Sequence, residues 1–220
     1  MLDCELFFTT CVDPAPLSLS PVPALLRSMV VDEYFDDFFS LAASVGEQMD
    51  QLGVPGKRLQ WLSHSYLASL MDSCPASYEA DGVICPNQDQ IQSYKDAVKS
   101  GYIQMHAFPH NGELEVLEPS LLQFGINVTR DIATRFGIDF PTVLSQRDVP
   151  GFPRSAIPLL AEAGVKALSE GSNSAMHPAN VPPAFVWKDE ATGTEQFVMW
   201  HALGYGMLPS PGTTSAELIR

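Results

Sequence analysis

Short apolar runs of strand length alternate with amphipathic stripes of helical period along most of this chain, and glycine or proline closes the stripes. That alternation limits the fold more than any other feature. A strand joined to the next through a helix pairs with it in parallel, and the helices cover the sheet. The reading is therefore an α/β fold with a mainly parallel sheet. The pattern alone is compatible with an open sheet and with a barrel.

The stripes start at residue 31. Val31, Phe35, Phe38, Ala42, Val45, Met49 and Leu52 advance by fours and threes, which predicts one long helix stopped by Gly53 and Pro55. Asp32, Glu33, Asp36 and Asp37 crowd its first turns, where the helix dipole favours anions. Strand-like runs are expected at residues 59–63, 102–106, 142–146 and 165–168, with two short β runs at 185–187 and 197–200. Ile91, Tyr94 and Val98 mark a helix ended by Gly101. Leu121, Phe124, Val128, Ile132 and Phe136 mark another, opened by Pro119 and ended by Gly137. A last helix is expected from a Ser155 cap to Ala163. The sequon at Asn127 falls inside a predicted helix.

Residues 1–30 have no such period. Residues 11–28 are rich in proline and serine and read as a linker or as sequence foreign to the fold. The alternating region is taken as 31–207 and the remainder, 208–220, as a tail. The amino terminus shows no basic n-region, so no export signal is visible, and localisation stays unassigned. Cys74 and Cys85 bracket a loop of Pro, Ser and Gly; they read either as free thiols or as a disulfide.

Composition removes some functions. Acidic side chains number 26 against 12 basic ones, a net charge of −14, which repels phosphates and argues against nucleic acid as a partner. No window approaches the roughly 18 apolar residues of a membrane-spanning helix. Hydrophobic residues make up 45%, enough for a packed core.

In parallel α/β folds, ligand sites gather beyond the carboxyl ends of the strands. Here those ends carry His64, His106, Asp148 and His201. An Asp that runs into Val-Pro-Gly is held in a stiff turn, which suits a nucleophile or a metal ligand, and equally an Asx-turn or a helix cap. No zinc spacing of the H-E-x-x-H or C-x-x-C type, no G-x-S-x-G elbow and no phosphate-binding glycine loop is present.

The segment from Ser145 through Gln-Arg-Asp148-Val-Pro-Gly151 to Gly164 resembles glycoside hydrolase family 38, the α-mannosidases. Phe185-Val-Trp187 and Met199-Trp-His201-Ala-Leu-Gly-Tyr205 resemble that family's next blocks, in order and spacing. Gly101-Tyr-Ile-Gln-Met-His106 through Glu115 is similar to a poorly characterised branch of it. The resemblance covers roughly residues 31–207. It implies a (β/α)7 barrel, incomplete in this chain, and a retaining, zinc-dependent glycosidase acting on carbohydrate.

The resemblance makes Asp148 the nucleophile and a metal ligand, with Asp3 as a second ligand and Met1 where the family has His. It makes His106, Trp200, His201 and Tyr205 contacts to the sugar. Phe152 stands where members of the family usually have His. The last zinc ligand and the acid/base carboxylate are expected beyond residue 220. The chain is accordingly expected to be a fragment that binds zinc poorly and turns over little substrate. Two rivals are a metal-dependent polysaccharide deacetylase on a similar barrel and a non-catalytic carbohydrate-binding domain, in which Trp61, Trp187, Trp200 and Tyr205 stack on sugars. The sequence assigns no oligomeric state.

Overall fold

The computed structural model describes residues 30–53, 60–173 and 177–202. Six strands are seen there: β1 (Trp61–Ser63), β2 (Ile103–Met105), β3 (Val143–Val149), β4 (Ala167–Ser172), β5 (Ala184–Lys188) and β6 (Glu195–His201). The helices are α1 (Phe39–Gln51), α2 (Ser65–Asp72), α3 (Ala76–Ala80), α4 (Gln88–Ser100), α5 (Pro119–Phe136) and α6 (Ala156–Glu162). β1 pairs in parallel with β2, and β3 with β4 and β4 with β6; β5 returns antiparallel at the edge, in the order β3-β4-β6-β5. The Ala107 N–H donates to Val143 O at 2.8 Å and ties the end of β2 to the start of β3. The result is a mixed α/β architecture built on parallel strands.

Two apolar cores pack against these strands. One gathers α1, α2, α4 and β2 around Phe35, Phe39, Tyr94, Ile103 and Met105. The other joins Phe108, Leu144, Leu168 and Val198 to Ile157 and Leu160 of α6. Helix α5 belongs to both, placing Ile132 and Phe136 in the first and Leu122 and Ile126 in the second. Ion pairs from Asp72 to Lys95 (2.7 Å) and Arg135 (3.1 Å) fasten α2 to α4 and α5.

Local signals act where the sequence places them. Asn87 and Gln90 form a reciprocal capping box at the start of α4. Gly101 and Gly137 end α4 and α5 in the left-handed conformation that a side chain disfavours. Ser155 precedes α6, yet its hydroxyl makes no capping hydrogen bond.

Two helix faces differ from the expected stripes. Before α1 the chain makes a widened turn at Tyr34–Phe38, with the Phe39 N–H bonded to Tyr34 O. The extra residue turns Phe39 rather than Phe38 into the core, and Leu52 is left outside, 69% exposed. In α5 the buried line is Leu122, Ile126, Thr129, Ala133 and Phe136, one residue out of step with the expected start, so Leu121 and Phe124 face solvent. Gly125 explains this second shift. A Cβ there would lie 2.4 Å from the Phe108 ring, so the helix approaches the chain after β2 closely only on this face.

Three strand boundaries also differ. β1 is seen as Trp61–Ser63, with Leu59 outside the described residues. β3 continues past residue 146 to Val149, and β4 past 168 to Ser172. The stretch between Cys74 and Cys85 holds the short helix α3, and the two cysteines are bonded, with Cα atoms 5.8 Å apart.

Candidate functional site

The carboxyl ends of β1, β2 and β3 open into a cleft of about 480 Å³. Its walls include Tyr34, Ser63, His64, His106, Asn111, Ser145, Arg147 and Asp148. Asp148 combines two irregularities. It sits at a register shift between β3 and β4, and its φ is +59°, the one positive value at a non-glycine position among the described residues. Asp tolerates this conformation better than most side chains, and bulges at strand ends re-aim a side chain. Its Oδ1 accepts a hydrogen bond from Asn173 Nδ2 at 2.7 Å.

The irregular backbone is held from across the cleft. The Arg147 N–H donates to Asn111 Oδ1 at 2.7 Å, and Asn111 Nδ2 donates to Arg147 O. Asn111 thus stands in for a strand partner at both backbone polar groups of one residue. Gln146 supports the same loop, accepting from the Gly112 N–H at 2.7 Å and donating to His110 O at 3.1 Å. The Arg147 guanidinium folds over β4 onto Ser169 O (2.5 Å) and Ser169 Oγ (2.7 Å). It brings a partly buried positive charge to a strongly acidic chain.

The opposite wall is a histidine pair. His64 Nδ1 and His106 Nε2 are 2.6 Å apart. The Phe108 N–H reaches His106 Nδ1 at 3.4 Å, so that nitrogen accepts. His106 therefore carries its proton on Nε2 and donates it to His64 Nδ1. Burial, with His110 adding to it, lowers His64 to about 4. Burial also holds His106 far below the ordinary histidine range, with His64, His110 and Arg147 pushing the same way. The pair is neutral at pH 7 and acts as a hydrogen-bonding wall.

The sequence-derived residues divide as follows. His106 and Asp148 share the cleft. His201 lies two strands further on, on β6 beyond β4, its Nε2 3.5 Å from Ser169 Oγ, and is held below its ordinary pKa by burial and by Arg147. Trp200 faces a different cavity. Asp3 and Tyr205 lie outside the described residues. Among the described residues no three His, Cys, Asp or Glu side chains come together to hold a metal ion. The described donors therefore do not by themselves make up a zinc site.

The strand-end pattern in the sequence includes His64 but does not single out Asn111, Arg147 or Ser145. The Asn-Gly pair after β2 was the available signal for Asn111. Arg147 carried none, because its role depends on β4 lying beside it.

No family model matches the chain, and no curated protein matches it. Among solved structures, the chain is similar to the crystal structure of 4-alpha-glucanotransferase from Thermococcus litoralis, with a TM-score of 0.52 and 12% identity. The similarity covers 78% of this chain and 25% of that one, so the chain spans about a quarter of that structure's length. At this identity the likeness is one of fold.

Proposed function

We propose that this chain is part of a glycoside-hydrolase-like domain that acts on carbohydrate, built on a (β/α)7-type barrel of the family-38 kind, with Asp148 as nucleophile. The observation that carries the reading is Asp148 itself: a carboxylate in a left-handed bulge at the end of a parallel strand, facing a cleft. Strained backbone of this kind persists only where its surroundings over-determine it, and it gathers at functional sites. The fold likeness to part of a glucanotransferase, and the resemblance of residues 145–164 to α-mannosidases, support the same substrate class.

In the proposed reaction a carboxylate oxygen of Asp148 bonds to the anomeric carbon while the glycosidic C–O bond breaks. The leaving oxygen takes a proton from a second carboxylic acid. Water then attacks the glycosyl ester, gives its proton to that second group and releases sugar and Asp148. Asn111 and the backbone of Arg147 hold the nucleophile's position. The neutral His64–His106 pair offers hydrogen bonds to sugar hydroxyls without adding charge. The reaction requires a second carboxylate, and Asp148 is the one that lines this cleft among the described residues. Zinc dependence belongs to the proposal through the family resemblance alone, with Asp148 the described residue that would help to hold the ion.

The test is a mannosyl fluoride that traps the covalent intermediate, with an aryl-α-mannoside assay and a zinc titration. Both are run on this chain and on a chain extended at its ends. The expected outcome is label on Asp148 and turnover in the extended chain, with at least about a thousandfold loss in Asp148→Asn. Acetate release from an acetylated sugar without labelling points instead to a deacetylase. Saturable sugar binding with no label in either chain points to a binding domain.

A further inference from the structure

A second cavity, of about 460 Å³, opens on the opposite face of the sheet. Residues alternate across a strand, so Ser145, Arg147 and Ser169 face one side of β3 and β4 while Leu168 and Glu170 face the other. Glu170 pairs in register with Trp200 of β6, and Phe185 and Trp187 of β5 extend the same face. Phe152, from the loop after β3, approaches Trp187 with ring centroids 6.3 Å apart, and Phe185 and Trp187 are equally spaced. Phe152, Phe185, Trp187 and Trp200 thus line the same cavity as the Glu170 carboxyl group.

That carboxyl group is unusual. Glu170 is 2% exposed, and neither of its oxygens has a hydrogen-bond partner among the described residues. The buried Trp200 Nε1 is also without one. A buried acid with no partner costs several kcal/mol when ionised, so it stays protonated or finds a cation. Burial raises Glu170 to about 8; Arg147, on the other face of the sheet, opposes the rise and Glu115 adds to it. Among the described residues, His177 is the other titratable group that lines the cavity.

We propose that the cavity over Glu170 binds a small organic cation, an alkylammonium or trimethylammonium group enclosed by Phe152, Phe185, Trp187 and Trp200 and countered by the Glu170 carboxylate. Aromatic faces attract ammonium groups most strongly when both are desolvated. A neutral hydroxyl compound can stack on the rings but does not compensate the buried charge. The net charge of −14 steers cations toward the protein. The cavity has the size of a small-molecule site and mostly apolar walls. Binding replaces the carboxyl proton: protonated Glu170 and the cation give the carboxylate–cation pair and a free proton. This proposal is independent of the glycosidase reading.

The test uses choline chloride, its neutral isostere 3,3-dimethylbutan-1-ol, and methyl α-mannoside, titrated into the 220-residue chain by calorimetry and tryptophan fluorescence. Choline is expected to bind at least about tenfold tighter than the isostere at pH 8.5. Its affinity should fall roughly tenfold per pH unit below the Glu170 pKa, with about one proton released per cation bound at pH 6. Glu170→Gln should weaken choline at least tenfold and leave the isostere unchanged. The proposal is overturned by equal binding of the isostere, by tighter binding of the mannoside in this cavity, or by no saturable choline binding. Wild-type affinity in Glu170→Gln overturns it too. If that variant does not fold, proton release by the wild-type chain decides the matter alone.

Discussion

The histidine cleft and the Glu170 cavity are nearly equal in volume; the first lies at the ends of β1, β2 and β3, the second over the opposite face of β4, β5 and β6. In both, burial drives a titratable group toward its neutral form, lowering His64 and His106 and raising Glu170. They differ in partners. The two imidazoles share a proton across 2.6 Å and satisfy each other. The Glu170 oxygens have no partner among the described residues. The cleft therefore holds a mutually hydrogen-bonded histidine pair beside the Asn111 and Gln146 contacts that support the irregular backbone at Asp148. The Glu170 cavity holds an open hydrogen-bonding group that a ligand can complete. The two sites also respond to pH in opposite directions, so the comparison can be broken experimentally.

The largest effect is expected at Glu170. Its folded pKa of about 8 lies above the ordinary 4.5. The native state keeps a proton that the unfolded state has released, so wild-type stability falls as pH rises from 4.5 through 8. At about 1.4 kcal/mol per pH unit, Glu170→Gln should exceed wild type by about 3–5 kcal/mol near pH 8.5 and match it at pH 4. Urea unfolding at the two pH values measures this. Equal midpoints at pH 8.5 would show that Glu170 already has a partner.

His106→Ala comes next. His106 is 1% exposed, so truncation leaves a cavity and removes the donor to His64 Nδ1. A loss of about 2–4 kcal/mol is expected by denaturant unfolding, with choline binding at Glu170 unchanged. A loss below 0.5 kcal/mol would mean that the pair contributes no closed network.

Gly125→Ala follows, at about 1–3 kcal/mol, because its new Cβ would meet the Phe108 ring at 2.4 Å. The strain falls on the chain that carries His106 toward the cleft. Thermal melting should therefore drop while the Glu170 cavity keeps its ligand. An unchanged melting temperature would show that Phe108 moves aside freely.

The smallest effect is the acid response of the pair. His64 is lowered from 6.5 to about 4, so its contribution is present above pH 6.5 and is lost as pH falls toward 4. Replacing His64 by Gln should flatten the fall in urea midpoint between pH 6.5 and 4.5. An unaltered slope would place the acid sensitivity at other groups.

Much of this could be read along the chain. Hydrophobic period and glycine punctuation place α4, α5 and the parallel strands, because they report local geometry and the face a segment must bury. Asp148 was legible for the same reason, as a polar residue ending an apolar run. Glu170 was not. Ser169-Glu170-Gly171-Ser172 has no apolar alternation, and the expected strand stops at Leu168; only pairing with β3 and β6 on both sides draws these residues into β4. The buried stripe of α5 was likewise settled by Phe108 packing on Gly125, a contact between residues 17 apart in number that nothing local records. Sequence determined which segments form helices and strands and which ends carry polar chemistry, since those follow from each segment's own side chains. The tertiary structure decided which residues meet and which are denied water. The His64–His106 bond, the Asn111 contacts and the burial of a Glu170 carboxyl with no partner among the described residues arise only when distant segments are packed side by side.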